Sequence, residues 1–297
     1  MKLIQSLLYP ASASRLAGGL AATFALALGS AVHAETTLFS DNFDGVSNSV
    51  AGLNSVDWWL ANPAENGTRL LVGADNTGTL SGDSIWNPGS SGSNTWALKQ
   101  FDSVTLTEVG DYVSVNMDLH FTTTPNYTIF TIALFGTDVT LSSNSITGYG
   151  TAGNPITDAT GYLINQQPRT TATNANFRSV AAGETGINDG TSLGWGNGSV
   201  VLGDPTSAHT LVFTITKVEG GTELTYSVDG SITGTILDSS SLYDTFNTLR
   251  ITAGNDSSAQ SHWDNISVVT NIPEPSVTAG VFGAVALSAL ALRRGAR

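Results

Sequence analysis

Apolar and polar residues alternate along much of the chain, most clearly in residues 112–121, where every second residue from Val113 to Phe121 is apolar. A period of two residues is typical of a strand that buries one face. Residues 127–135 are apolar on both faces, which predicts a central strand covered on both sides, by a second layer or by a long loop. No segment between the two chain ends keeps a helical period.

Two further alternating runs, 211–218 and 223–229, flank the sequence Glu219-Gly220-Gly221-Thr222. This pattern predicts a hairpin, because glycine readily adopts the positive φ angles of a tight turn. Strands are also predicted at 37–43, 69–73, 95–101, 160–166, 231–237, 247–253 and 262–270. About ten strands without a helix predict an all-β fold, a single antiparallel two-sheet sandwich.

The first 34 residues have the features of a secretory signal peptide. Lys2 and Arg15 precede an apolar core at 16–31, and Val32-His33-Ala34 supplies the small residues that a signal peptidase reads. We therefore expect export and cleavage after Ala34.

The last residues, 272–297, combine three features in order. Pro273-Glu274-Pro275 precedes 17 uncharged residues, and Arg293, Arg294 and Arg297 follow them. As a helix, the uncharged stretch would be roughly 25 Å long, just enough to cross a bilayer. The arginines would stay on the cytoplasmic side, so the body of the chain would lie outside the cytoplasm. The pattern predicts a single transmembrane helix at the C-terminus.

This ending resembles the PEP-CTERM sorting signal of Gram-negative bacteria that make exopolysaccharide. The resemblance implies an exosortase that cuts near Pro273-Glu274-Pro275 and passes the protein from an inner-membrane anchor to the cell surface or extracellular matrix. An ordinary C-terminal anchor is the alternative.

Between the two terminal signals, residues 35–271 form the predicted exported domain.

The exported domain is strongly acidic and has no cysteine. It carries six Lys and Arg residues against 23 Asp and Glu residues, a formal charge of −17. Binding to nucleic acid needs clustered Lys and Arg, so nucleic acid is excluded as a partner, whereas divalent cations are compatible with this charge. The absence of cysteine rules out disulfides, thiolate metal sites and cysteine nucleophiles, and the domain must be stabilised by a large core.

The two ends of the domain, LFSDNFDG at 38–45 and HWDNISVV at 262–269, resemble the first and last strands of the concanavalin A-like, laminin G-like jelly roll. The resemblance implies that these two strands pair side by side. It favours a jelly roll over an immunoglobulin-like sandwich, and the absence of a rung-length period argues against a β-helix.

Phe39, Asp41 and Phe43 should share one face of the first strand, and Asp264 should share a face with Ile266 in the last. Carboxylates at the edge of a core need a hydrogen bond, a proton or a cation. The resemblance implies a structural Ca²⁺ here, with Asp264 as one ligand and Asp41 or Asp44 as another. The alternative is that these aspartates only cap turns and strand ends.

Support for catalysis is weak. Among the glutamates of the domain only Glu219 and Glu223 are close in sequence, and they flank a turn, whereas a retaining glycosidase needs two carboxylates about 5 Å apart. His120, Tyr162, Gln166 and Arg169 contain the residue types of a jelly-roll lyase but in an unfamiliar order, and a histidine on the polar face of a strand usually faces solvent. The sequence therefore assigns no catalytic residue.

The chain has six tryptophans. Trp58, Trp96 and Trp263 are expected in the core, whereas Trp86 and Trp195 are predicted to lie in loops, where each can stack on a sugar or anchor its own loop. Two classes of function remain open. The first is a non-catalytic surface or matrix protein that binds glycan, with neutral exopolysaccharide favoured by the negative charge. The second is an enzyme that acts on polysaccharide.

Overall fold

The computed structural model divides the chain into two units, Met1–Ala34 and Glu35–Arg297, and the fold below belongs to the second. The residues that it describes are 34–44, 58–62, 71–74, 79–80, 82–87, 95–124, 130–141, 146–147, 156–166, 173–184, 190–200, 202, 204–253 and 260–272. The predicted signal peptide, up to residue 33, and the predicted sorting signal and transmembrane helix, from Pro273 onwards, lie outside these residues. Within them, no helix is long and apolar enough to cross a bilayer.

The described residues form sixteen strands and no helix. The strands are β1 (Thr36–Asp41), β2 (Trp59–Asn62), β3 (Leu71–Ala74), β4 (Asp83–Asn87), β5 (Thr95–Thr105), β6 (Tyr112–Phe121), β7 (Phe130–Gly136), β8 (Ile146–Thr147), β9 (Thr160–Gln166), β10 (Thr173–Val180), β11 (Thr191–Val200), β12 (His209–Val218), β13 (Gly221–Val228), β14 (Ser231–Asp238), β15 (Thr245–Ala253) and β16 (Ser261–Thr270).

The strands build two sheets of eight. Sheet A has the order β14-β13-β12-β6-β16-β4-β3, and β1 pairs with β16 beside β4. Sheet B has the order β11-β10-β9-β7-β15-β5-β2-β8. All pairs are antiparallel except β2 with β8, which is parallel. The fold is thus a two-sheet antiparallel jelly-roll sandwich, and its first and last strands are neighbours, as the resemblance to jelly rolls implied.

One large apolar core lies between the sheets. Phe177, Ile164, Ile132 and Ile251 face it from sheet B, and β6 contributes every second residue from Val113 to Phe121. A buried polar contact joins the two layers, because the Tyr162 hydroxyl donates to Asp238 Oδ2 over 3.0 Å. Burial raises the pKa of Tyr162 well above its usual range, which keeps this hydroxyl a donor.

Most of the predicted strands are confirmed. The β12–β13 hairpin turns at Glu219-Gly220, where Gly220 has a φ of 82°. Residues of β7 are buried on both faces. The structure adds five strands that the sequence pattern did not predict, namely β2, β4, β8, β10 and β11.

The two sheets meet at one edge through β11 and β14. A Cβ atom added at Gly196 would lie 2.8 Å from Gly234 Cα and 2.8 Å from Phe177 Cε2, so the two backbones touch where side chains would normally separate them. Because β11 and β14 are the edge strands of their sheets, this contact closes the sandwich at that edge.

We predict that Gly196→Ala destabilises the domain by about 1–3 kcal/mol, because the added methyl group must push β14 or Phe177 away. Urea unfolding of the variant measures the loss. The matched control is Ser192→Ala on the same strand, where the side chain is exposed and the loss should stay within about 0.5 kcal/mol. Equal stability of the two variants would mean that the edge contact is not tight.

Candidate functional site

A row of side chains crosses the outer face of sheet B, the face turned away from sheet A. Each member is the register partner of the next, so the pleat turns them all to the same side. From edge to centre the row contains Trp195 on β11, Asn176 on β10, Asn165 on β9, Thr131 on β7 and Thr252 on β15. Trp96 on β5 follows Thr252 in the same register.

A second row lies two residues away along the same strands, or three residues away in β11, where the pairing with β10 contains a bulge. It consists of Ser192, Arg178, Leu163, Ala133, Arg250 and Leu98. Its apolar members are buried under Leu141, Ile156 and Ala159. The Gln100 side chain holds the segment that contains Leu141 in place. It donates to Val139 O over 2.7 Å and accepts from Leu141 N over 2.8 Å. The cover explains why β7 is buried on both faces, and it leaves the β10–β11 end of the outer face less buried.

Trp195 is the most exposed described aromatic on this face, with 60% of its surface accessible. The prediction that it lies in a loop is wrong, since it lies in β11, opposite Asn176. The glycines on either side of it face inward, where β14 leaves no room for side chains, and this gave the segment the composition of a loop. Beside it, Ser192 Oγ donates to Asn176 Oδ1 over 3.1 Å.

The structure describes the side chains of two other tryptophans, Trp58 and Trp263. Trp58 and Trp263 are buried in the core, as predicted. Trp86 was also predicted to lie in a loop, but it lies in β4 with His262 as its register partner in β16. The side chains of Trp86 and Trp96 lie outside the described part of the structure.

A second candidate site, the acidic cluster, consists of Asp41, Asp44, Asp118 and Asp264. It lies on sheet A, where β6 and β1 flank β16. Asp264 is the register partner of Asp118 on β6. A bulge after Asp264 interrupts the alternation of β16, so Trp263, rather than Asp264, faces the core together with Ile266. The expected shared face of Asp264 and Ile266 is therefore wrong, because the pattern assumed an uninterrupted strand. Asn265 occupies the bulge with a φ of 48°.

Each of the three predicted metal ligands accepts hydrogen bonds. Asp41 accepts from Phe43 N and Trp58 Nε1, both over 2.9 Å. Asp44 Oδ2 accepts from Asn42 Nδ2 over 2.8 Å. Asp264 Oδ1 accepts from the backbone N–H of Asn265 over 2.7 Å. These bonds are the capping contacts that the alternative hypothesis expects.

Asp264 is nevertheless in an unfavourable environment for a charge, since only 1% of its surface is exposed. The pKa of Asp264 is raised to about 6, chiefly by burial and also by the negative charges of Asp118, Asp44 and Asp41, against the lowering effect of the hydrogen bond from the Asn265 amide. Asp118, Asp44 and Asp41 therefore each repel a negative charge on Asp264.

The chemistry of this cluster fits a hard cation such as Ca²⁺, which prefers carboxylate oxygen. Its spacing fits less well, because the described residues contain no group of three or more His, Asp or Glu side chains close enough to hold a metal ion. Asp41, Asp44 and Asp264 remain candidate ligands that are near one another but do not form a coordination sphere.

His120, the histidine of β6, was expected to face solvent, and this expectation is wrong. His120 is fully buried and stacks on His262, with ring centroids 4.9 Å apart, so it does not face solvent. His262 Nδ1 lies 3.0 Å from Ser84 Oγ, and both residues are buried, which leaves this Ser–His contact without access for a substrate. Tyr162 and His120, two residues of the possible lyase set, do not meet, because Tyr162 faces the core from sheet B whereas His120 lies on sheet A. Arg169 of the same set lies outside the described residues.

No known protein-family model matches the chain, and no curated protein matches its sequence. Solved structures do resemble it. The globular domain of T. cruzi calreticulin aligns with a TM-score of 0.50 and 7% identity, covering 88% of this chain and 100% of that one.

Two other similar structures are named for carbohydrates. The carbohydrate recognition domain of Emp46p in its potassium-bound form aligns with a TM-score of 0.44 and 13% identity, over 78% of this chain and 95% of that one. Endo-1,3-beta-glucanase from Streptomyces sioyaensis aligns with a TM-score of 0.46 and 14% identity, over 80% and 97%. At these identities the likeness concerns the fold alone.

Proposed function

We propose that this protein is a non-catalytic glycan-binding protein of the bacterial surface or matrix, and that it binds glycan on the outer face of sheet B. The observation that carries the proposal is the exposed indole of Trp195 in register with two side-chain amides, Asn176 and Asn165. An indole offers a flat apolar surface to the C–H face of a sugar ring, and amides satisfy its hydroxyl groups.

The sheet makes this arrangement rigid. Neighbouring strands are about 4.8 Å apart, so three consecutive members of the row extend across about 10 Å of surface, the length of a short oligosaccharide. The Ser192 hydroxyl fixes the orientation of the Asn176 amide. The proposal rests on this geometry, and the likenesses to Emp46p and to the glucanase add nothing to it.

We predict that Trp195→Ala weakens binding to neutral oligosaccharides about tenfold, equivalent to about 1.4 kcal/mol, because stacking on the indole is lost. Tryptophan fluorescence and calorimetric titration of the full-length protein, using a panel of neutral glucans and galactans, measure the change. Ile232→Ala is the matched control, since Ile232 is an exposed apolar residue on sheet A.

Melting temperature should be the same for both variants and the wild type, because each side chain is exposed. Unchanged affinity in Trp195→Ala would place the binding surface elsewhere. Release of reducing ends from any glycan would favour the alternative, an enzyme that acts on polysaccharide.

The route to the surface is a second part of the proposal. Export through cleavage after Ala34, transient anchoring in the inner membrane by the C-terminal helix, and processing by an exosortase would deliver the domain to the cell surface or matrix. The support is the order of Pro273-Glu274-Pro275, the 17 uncharged residues and the terminal arginines in the sequence.

Mass spectrometry of the protein released from the cell surface tests this route. We expect a C-terminus near Pro273, and we expect replacement of Pro273-Glu274-Pro275 by alanines to leave the uncut protein in the membrane fraction. Intact Arg297 on the released wild-type protein would contradict exosortase processing and support an ordinary anchor.

We also propose that Ca²⁺ is the cation that relieves the repulsion among Asp41, Asp44 and Asp264. In chelator, the raised pKa of Asp264 means that wild-type stability falls as pH rises from about 4 through 6, because the folded state holds the proton more tightly than the unfolded state. Asp264→Asn removes this loss and keeps the acceptor for the Asn265 amide.

The melting temperature of Asp264→Asn in chelator should therefore match the wild type near pH 4 and exceed it by several degrees at pH 7. Added Ca²⁺ should raise the melting temperature of the wild type and leave the variant unchanged. Asp102→Asn, an exposed aspartate of β5, serves as the control. A wild type that is indifferent to Ca²⁺ would leave the aspartates as turn caps.

A further inference from the structure

The outer face of sheet B carries both of the arginines that the structure describes. Arg178 and Arg250 belong to the second row, on β10 and β15. Arg250 is 2% exposed, and its guanidinium lies 4.9 Å from the centre of the Phe135 ring. Arg178 is only half-buried and lies near the edge of the sheet, on the same side as Trp195. Arg178 thus places one partly accessible positive charge on the face that we propose to bind glycan.

Arg178 differs from the other described cations in its surroundings. Lys217 donates to Leu106 O over 3.1 Å, and Lys99 lies 5.9 Å from the Phe39 ring. No hydrogen bond or ion pair joins the Arg178 guanidinium to another residue in the described part of the chain, and its Nε is closed off from solvent. In a domain with 23 acidic residues, an arginine without a carboxylate is unexpected.

A guanidinium is a planar donor that matches a carboxylate with two parallel hydrogen bonds. Arg178 lies two residues from Asn176 on the same face, about 7 Å along the strand, and Ser192 is its register partner on β11. Trp195 is the register partner of Asn176. An indole, an amide, a hydroxyl and an unpaired guanidinium therefore surround an area the size of one or two sugar rings.

We propose that the ligand of this face is an acidic glycan built from uronic acid residues, with Arg178 binding the sugar carboxylate while Trp195 stacks on a ring. The inference depends on the proposed glycan-binding function and makes its ligand more specific. It departs from the neutral ligand that the net charge favours, because that charge acts through solvent and is screened over about 10 Å at 0.1 M salt, whereas the guanidinium contact is direct.

Oligogalacturonate and its methyl ester provide a matched pair of probes, because the ester removes the charge and keeps the sugar chain. We expect the full-length protein, in chelator to prevent bridging by Ca²⁺, to bind the free acid at least tenfold more tightly than the ester. Arg178→Gln should lower the affinity for the acid to that for the ester and leave the ester affinity unchanged. Arg178→Lys should restore part of the difference, since a lysine keeps the charge without the planar fork.

Lys217→Gln is the control, since Lys217 belongs to sheet A, and it should leave both affinities unchanged. Equal binding of acid and ester by the wild type, or an equal loss for both probes in Arg178→Gln, would overturn the inference. If neither probe nor any neutral glycan binds, the proposed function itself fails. If the ester binds as well as the acid and Trp195→Ala weakens both, glycan binding stands and only the acidic ligand is wrong.

Discussion

The candidate site depends on the hydrogen-bond register of sheet B. Side chains in a strand alternate between two faces, so a slip of one residue in β10 would turn Phe177 outward and Arg178 into the core. The core prevents such a slip, because Phe177, Ile164 and Ile132 must stay buried together. The apolar residues between the sheets therefore determine which polar side chains reach the outer face, and they do so without touching any ligand.

Strands with regular alternation could be predicted from the sequence. Residues 112–121 form β6 as expected, and the turn between β12 and β13 lies within the predicted segment, with Gly220 at a positive φ. The pairing of β1 with β16 was expected from resemblance to jelly rolls and is confirmed. The prediction succeeded where a strand buries one face against the core and leaves the other in solvent.

Strand prediction failed where a closely packed neighbouring sheet removes the alternation of apolar and polar residues. In β11, Gly194 and Gly196 take the inward positions that apolar residues normally occupy, because β14 approaches too closely for larger side chains. The segment therefore has the composition of a loop, and the sequence left open whether Trp195 is exposed or anchors a loop and missed that it belongs to a strand. In β10, Ala175 and Phe177 do alternate with Asn176 and Arg178, a signal strong enough to have been read.

The acidic cluster shows a second kind of failure. A bulge cannot be read from the residues 262–269, and its effect is to separate Asp264 from the face of Ile266 and place it against Asp118. The sequence correctly placed carboxylates from the two chain ends near one another, but it missed Asp118, which belongs to neither end. Contacts across a sheet of this topology join residues almost 150 positions apart, and no local pattern reports them.

The pairing of the terminal strands also has a mechanical consequence. β16 is hydrogen-bonded to β6 along most of its length on one side and to β1 and β4 on the other, and its last residues lead directly into whatever follows Ile272. A pull on that segment is directed along the strand, so the bonds to β6 and β1 bear it in shear and must break together rather than one after another. A domain held at this point while its outer face binds a polymer would transmit tension through a strand that is paired with three others.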